Sequence, residues 1–425
     1  MNAFLKYSLL VLTCLNLWAC KSKELYTTRP TKSSNNPEND LLELNVVAYH
    51  LNDSVTTVHL EIKNENLLYK RPDTTLAFFA ELRIFYKLLA EPNSRKILDS
   101  SSFYVYDRVE GEQVKMKSLL SQFNLKAKTG NYYLELEAFD VNRRTKYTSS
   151  LNIYKQSVYS DQNFLVTLRD TVAFKNNFLK DERVLIKFSS SAIKQVTVDC
   201  FLKESGPAAP PFSTRKEEET KYKPDSVFNL NLSTNQFMLT MPSKGFYHVR
   251  ADQKSKEGLT LFTYDKTFPG VSNSEEMINC TRYIMNQGEF ESCKESPEKK
   301  AAIDKFWLTL GGSNERAREL LKRYYGRVKE ANKYYSSYVE GWKTDRGMVF
   351  IVFGPPGNIY KSKHDEIWVY GNEANPGTLR FIFNKVQNPL SDNDYMLERS
   401  QFYRDAYYTA VDYWREGNIY IDNRK

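Results

Sequence analysis

Histidine is scarce, with four in 425 residues: His50, His59, His248 and His364. The first three fall in strand-like patterns without companion ligands. The run His364-Asp365-Glu366 crowds its donors side by side, a poor metal arrangement that reads as a solvated turn. No metal site is expected. There is no Gly-x-Ser-x-Gly elbow and no phosphate-cradling glycine loop, and Gly354-Pro355-Pro356-Gly357 cannot act as one because prolines lack the backbone donor. Asp392-Asn393-Asp394 lacks the glycine and distal Glu of a calcium loop. With no catalytic constellation and no cofactor motif, a non-enzyme is expected. Glycine and proline number only 17 and 15, which excludes collagen-like repeats and disorder throughout. Beyond the first 20 residues no apolar run approaches the ~18 needed to span a bilayer. The net charge of +8 is mild for this length and does not imply nucleic acid. The basic and aromatic stretch from Lys322 to Lys329 reads instead as a solvated helix face, with Tyr324 and Val328 on its apolar side. What the chain has in quantity is aromatic side chain, 29 Tyr and 25 Phe, and tyrosine at this density suits half-buried strands. At roughly 100 to 200 residues per domain the length allows two to four domains.

Met1 to Ala19 carries one cation, Lys6, and then an apolar stretch from Tyr7 to Trp18 too short for a stable span; it reads as a signal peptide. Its end, Leu17-Trp18-Ala19-Cys20, resembles the bacterial lipobox, and the resemblance implies a lipidated, palmitate-bearing Cys20. The alternatives are an ordinary signal cleaved after Ala19 or a short uncleaved anchor. Residues 20–40 are rich in Lys, Ser, Thr, Asn and Pro and read as a flexible tether of about 25 Å. The chain is thus expected to reach the membrane only through N-terminal acyl chains. Lys21 and Lys23 precede Glu24, which favours the periplasmic side of the outer membrane over the cell surface. Export also permits disulfides. With Cys14 removed and Cys20 lipidated, Cys280 and Cys293 form the only close pair and are the candidate disulfide, while Cys200 reads as a small buried apolar residue.

From residue 41 to 155 the chain alternates apolar and polar. Leu42, Leu44, Val46 and Ala48 are followed by a turn at Asn52-Asp53-Ser54 and by Val58, Leu60 and Ile62; further strands fall at Ala80–Leu88, Phe103–Tyr106, Tyr132–Ala138 and Leu151–Tyr154. Residues 163–270 repeat the style. Gly130-Asn131-Tyr132 and Gly245-Phe246-Tyr247 each open the penultimate strand of their block, as tyrosines at Ig-like sandwich corners do. Two tandem all-β Ig-like sandwiches are expected, the alternative being one long β-domain. Residues 203–226 read as an exposed Pro, Glu and Lys-rich loop. After Gly270 the period becomes helical. Ser274 is expected to cap a helix ending before Gly288, and Ser296 one ending at Gly311-Gly312; a third runs from Asn314 to Tyr338 and a last from Ser400 to Arg415. Strands are expected at Met348–Phe353, Glu366–Tyr370 and Thr378–Asn384, making residues 272–425 an α+β domain.

The third helix leads into Gly341-Trp342-Lys343-Thr344-Asp345-Arg346-Gly347, then an apolar run to Phe353 and Gly354-Pro355-Pro356-Gly357. This resembles the GWxTD domain family of Bacteroidota-type envelope proteins, whose signature is Gly-Trp-x-Thr-Asp, Arg-Gly and a Gly-Pro-Pro turn. The resemblance implies an envelope lipoprotein but carries no catalytic residues. By residue chemistry Gly341 frees the backbone to leave the helix, Trp342 anchors by burial, and Thr344 or Asp345 bonds a tight turn before Arg346 and Gly347. The competing reading makes Trp342, Asp345 and Arg346 part of a recognition surface. The expected function is a non-enzymatic, outer-membrane-anchored component of an envelope complex for β-barrel assembly or secretion, engaged through protein–protein interaction. The alternative is an envelope enzyme or a glycan- or peptidoglycan-binding protein.

Overall fold

Alternation along the early strands sends one side chain in two inward. The computed structural model describes residues 44–419 apart from 74–75, 93, 111–117, 203–204, 215–222, 363 and 376–377. The signal peptide, Cys20 and the tether lie outside the described residues. Seven strands come first: β1 (Leu44–Asn52), β2 (Val55–Lys63), β3 (Phe78–Leu89), β4 (Ile97–Val109), β5 (Ser118–Lys126), β6 (Asn131–Asp140) and β7 (Thr145–Tyr154). They form sheets ordered β1-β2-β5 and β4-β3-β6-β7, which share a core including Val58, Leu60, Ile62, Leu82, Ile84 and Leu134. The Asn52 side chain accepts from Ser54 and Val55 N–H to make the first turn. Strand β5 was not legible because Ser, Gln and Asn dilute its pattern and only Leu125 is fully buried.

Nine strands follow: β8 (Phe164–Leu168), β9 (Thr171–Val172), β10 (Asn177–Phe178), β11 (Arg183–Phe188), β12 (Gln195–Phe201), β13 (Ser226–Asn231), β14 (Gln236–Thr240), β15 (Gly245–Arg250) and β16 (Leu259–Thr263). Sheets β14-β11-β8-β9 and β10-β16-β15-β12-β13 enclose a second core that contains Cys200. Both tyrosine corners form. The Tyr132 hydroxyl donates to Lys128 O (3.2 Å) and the Tyr247 hydroxyl to Ser243 O (2.9 Å), each four residues back.

The C-terminal part is α+β, with six helices among the described residues: α1 (Ser274–Thr281), α2 (Gln287–Glu295), α3 (Lys299–Gly311), α4 (Asn314–Tyr335), α5 (Asp345–Phe353) and α6 (Arg404–Arg415). An antiparallel sheet β17 (Asn358–Lys361), β18 (Asp365–Tyr370), β19 (Leu379–Lys385) and β20 (Tyr395–Leu397) runs in sequence order. Helices and sheet share one aromatic-rich core. Several expectations are corrected. Asn273, not Ser274, caps α1 by accepting from Glu276 N–H, and Asn286 with Glu289 makes a capping box that starts α2, so Gly288 lies in a first turn rather than past an end. Ser296 ends α2 instead of capping α3. The disulfide is absent: Cys280 and Cys293 are free and buried. Each fills apolar space as a small side chain, and burial pushes both thiols up, away from the reactive thiolate.

The second sandwich and the C-terminal domain are joined by an apolar cluster of Phe201, Phe246, Phe262 and Leu390. The segment 205–214, expected as exposed loop, instead crosses onto the C-terminal domain, where Ala208 and Phe212 pack against its core. Residues 203–204 and 215–222 of that insertion lie outside the described residues.

His50 and His248 are buried in the sandwiches. His50 bonds Thr56 Oγ1 and Tyr154 O, and His248 bonds Thr260 Oγ1 and Lys256 O. Burial pushes both imidazoles down to about 4, helped at His50 by Lys155. Both stay neutral in the folded chain while the unfolded chain takes up protons near the ordinary value, so stability is full above about pH 6.5 and falls as pH drops toward 4. At pH 5 the loss is expected to be about 2 kcal/mol per histidine. Urea unfolding at pH 7 and pH 5 checks this, and a His50→Gln, His248→Gln variant should lack that part of the difference.

Candidate functional site

The run Met348–Phe353, expected as a strand, is the body of helix α5, and all nine of its residues are buried. A continuous apolar run does not distinguish a buried strand from a buried helix, and here the capping residues decide. Thr344 Oγ1 accepts from Gly347 N–H (3.1 Å) and donates to Gly341 O (2.8 Å), while Asp345 places a carboxylate at the positive end of the helix. Gly341 serves by close approach rather than by freeing the backbone: a Cβ there would lie 1.9 Å from Ala331 O, and one on Gly347 would lie 1.8 Å from Gly341 O. The two glycines therefore let the motif's 3-10 turn, Gly341–Lys343, nest between α4 and α5. Gly354, at φ +83°, ends α5 ahead of Pro355 and Pro356.

Trp342 is 6% exposed. Its N–H donates to Asn332 Oδ1 (3.0 Å), its carbonyl accepts from the Tyr283 hydroxyl (2.7 Å), and the two rings meet edge to face. Asp345 reaches beyond its own turn. Its carboxylate accepts from Leu397 N–H (2.7 Å) and pairs with Arg399 (2.6 Å), tying α5 to β20. Arg346 is 3% exposed, donates to Asn393 O (2.9 Å) and Asn393 Oδ1, pairs with Glu366 (3.3 Å) and stacks between the rings of Tyr395 and Tyr335. Burial alone would raise the Glu366 carboxyl, but Lys361 and Arg346, with a hydrogen bond from Trp368 Nε1, outweigh it and hold it below the usual range. The expected solvated turn at His364-Asp365-Glu366 is thus corrected: Asp365 and Glu366 are buried strand residues.

At the other end of α5, Arg327 donates to Ile351 O (3.0 Å) and Val352 O (3.3 Å) and lies over the Trp414 ring, whose Nε1 also donates to Val352 O. Burial pushes its guanidinium down to about 10. Against the solvated face expected for Lys322–Lys329, Arg327 sits in register with Tyr324, Val328 and Ala331 on the buried face. A cation on an apolar stripe was the signal that could have found it. Glu366 shares strand parity with buried Trp368 and Tyr370 and was legible in the same way. Asn332, four residues past Val328 on the same stripe, carried the same signal, whereas Asn393 and Arg399 gave none.

Beside the motif lies a cleft of about 610 Å³ between the end of the first sandwich and the C-terminal sheet, lined by Tyr154, Asp161, Tyr334, Arg346, Lys361, Glu366, Asp392 and Tyr395 among others. No group of three or more His, Cys, Asp or Glu among the described residues is placed to hold a metal.

Residues 245–416 match the family model described as the GWxTD domain. The chain carries a GWxTD domain. The match begins at Gly245, ahead of the expected Ser272, and so takes in β15 and β16, whose Phe246 and Phe262 pack on the domain's Leu390. No curated protein matches the chain. Among solved structures, the crystal structure of a Salmonella alpha-2-macroglobulin mutant matches at 10% identity and a TM-score of 0.15, over 52% of this chain and 16% of that one.

Removing the Trp342 ring is expected to empty a buried aromatic site: Trp342→Ala should destabilise the GWxTD domain by about 3 to 5 kcal/mol. Asp345→Ala should cost a similar amount, about 3 to 5 kcal/mol, because Arg399 is left buried and unbalanced. Gly347→Ala should prevent the turn and helix from closing as they do. Thermal and urea unfolding of the intact variants measure all three, and a Trp342→Ala protein that melts like the parent would mean that the ring is no anchor.

Proposed function

We propose that this protein is a non-enzymatic lipoprotein of the outer membrane, held by acyl chains on Cys20 and facing the periplasm, whose two sandwiches hold the GWxTD domain out to another envelope component. The observation that carries this reading is the engagement of the motif: Trp342, Thr344, Asp345 and Arg346 are each bonded within the domain, so they shape a surface instead of presenting reactive groups. The joint between second sandwich and GWxTD domain, apolar at its centre and crossed by residues 205–214, favours a stiff support over two independently moving units. Among the described residues no helix is long and apolar enough to cross a membrane; in this reading the acyl chains supply the attachment. A partner involved in β-barrel assembly or secretion fits that location.

The aromatic and charged cleft favours a second reading, in which it receives a cell-wall glycan between Tyr154, Tyr334 and Tyr395. Affinity purification from gently solubilised membranes separates the two. A stable barrel-containing complex supports the first, and a monomer that is retained on purified cell wall, and loses retention with Tyr334→Ala, supports the second. Cys20→Ser is expected to move the protein from washed membranes to the soluble fraction; a mutant still in washed membranes with no partner holding it there would overturn the anchor.

A further inference from the structure

Strands β12 and β13 are hydrogen-bonded antiparallel neighbours, with Cys200 opposite Ser226. A hairpin of this kind needs about two to five connecting residues, and loops beyond about a dozen are usually functional. Here the chain makes a far longer detour, and within it the stretch Ser205-Gly206-Pro207-Ala208-Ala209-Pro210-Pro211-Phe212-Ser213-Thr214 packs Ala208 and Phe212 on the GWxTD domain.

The manner of its binding is that of a peptide in a receptor. Three prolines remove three backbone donors and restrict the course at little entropic cost, extended up to Pro210 and then turned at Pro211-Phe212. What remains is a row of carbonyls, and the domain meets it with donors: Arg399 Nη2 to Ala209 O (3.4 Å), Ser400 N–H to Pro211 O (3.1 Å) and Gln401 Nε2 to Phe212 O (2.6 Å). Toward the domain, the segment's Ala208 N–H donates to Lys343 O (2.9 Å), while its Ser213 N–H turns back to Pro210 O (3.0 Å). Phe212 closes the contact against the rings of Tyr407 (5.6 Å) and Tyr408 (5.3 Å). Two of the receiving groups belong to the motif or are set by it: the Lys343 carbonyl is in the Gly341–Lys343 turn, and Arg399 is held by Asp345.

We infer that the GWxTD motif builds a docking groove for a proline-containing peptide that turns at an aromatic residue, which this chain fills in cis with Pro207–Phe212 and which accepts the same chemistry in trans when the cis segment is removed. This stands apart from the membrane location and from the identity of any envelope partner.

The test uses the whole chain with residues 206–213 replaced by a Gly/Ser stretch of equal length, and a synthetic peptide spanning Ser205–Thr214 as probe. Calorimetry should show saturable one-to-one binding, weakened about tenfold, equivalent to about 1.4 kcal/mol, when the peptide carries Phe212→Ala. The unaltered chain, its groove occupied, should bind the peptide at least about tenfold more weakly. No binding to the folded replaced chain, or equal binding to both chains, overturns the inference. Should the replacement fail to fold, Phe212→Ala in the intact chain loosens the segment alone. Amide exchange at Ser400 should then speed up about tenfold and be restored by added peptide; exchange that the peptide leaves unchanged also overturns it.

Discussion

A helix buried from its first residue to its last sets the terms for the GWxTD domain. Helix α5 is buried along its whole length, yet like any helix it begins with orphan N–H groups and ends with orphan carbonyls. On a surface helix, solvent satisfies these. Here each must find a protein partner, or the fold bears a cost on the order of a hydrogen bond for every group left over. Thr344 and Asp345 answer the first end and Arg327 with Trp414 the second. Reading the motif in this way explains its composition: threonine as a cap, aspartate as a charge on the dipole, and glycines where backbone meets backbone.

Each solution calls for another. Asp345 buried alone would be unfavourable, so Arg399 comes with it; Arg346 buried beside it is balanced by Glu366 and by two tyrosine faces. Asn393 fixes Arg346 and at the same time donates to Tyr334 O and Ser336 O at the end of α4. Polar residues from β18, β20 and the loop at 386–394 are thereby drawn to one small helix. Such a network favours one arrangement of the surrounding elements, since partial satisfaction would be worse than an apolar core.

The sandwiches were legible because strand alternation is a local signal, and so were the tyrosine corners, which need only a glycine and a tyrosine two residues on. The helix period was legible as well, for α4 most clearly. Helix α5 was not, because its apolar run has no period to read and its identity rests on Thr344 and Gly347 rather than on the run itself. The pairing of Arg346 with Glu366 and of Asp345 with Arg399 joins positions 20 and 54 residues apart, beyond any spacing rule. The docked course of residues 205–214 was hidden for a different reason: proline, alanine and serine look like solvated loop wherever they occur, and only the distant carbonyl partners show otherwise. The disulfide expectation failed because proximity in sequence says nothing about which way two thiols point inside a core.

The long excursion between β12 and β13 has a consequence for the order of assembly. Gln401 and Phe212 are 189 residues apart in sequence, so a chain that emerges N-terminus first exposes the excursion long before its receptor exists. The second sandwich can close around its own core in that interval, but the seam with the C-terminal domain cannot. Contacts of such high sequence separation form late and slowly, after the loop-closure entropy has been met. The detour therefore acts as a completion mark: its docking reports that residues up to the last helix have arrived and folded, and until then the proline segment remains open to whatever surrounds the nascent molecule.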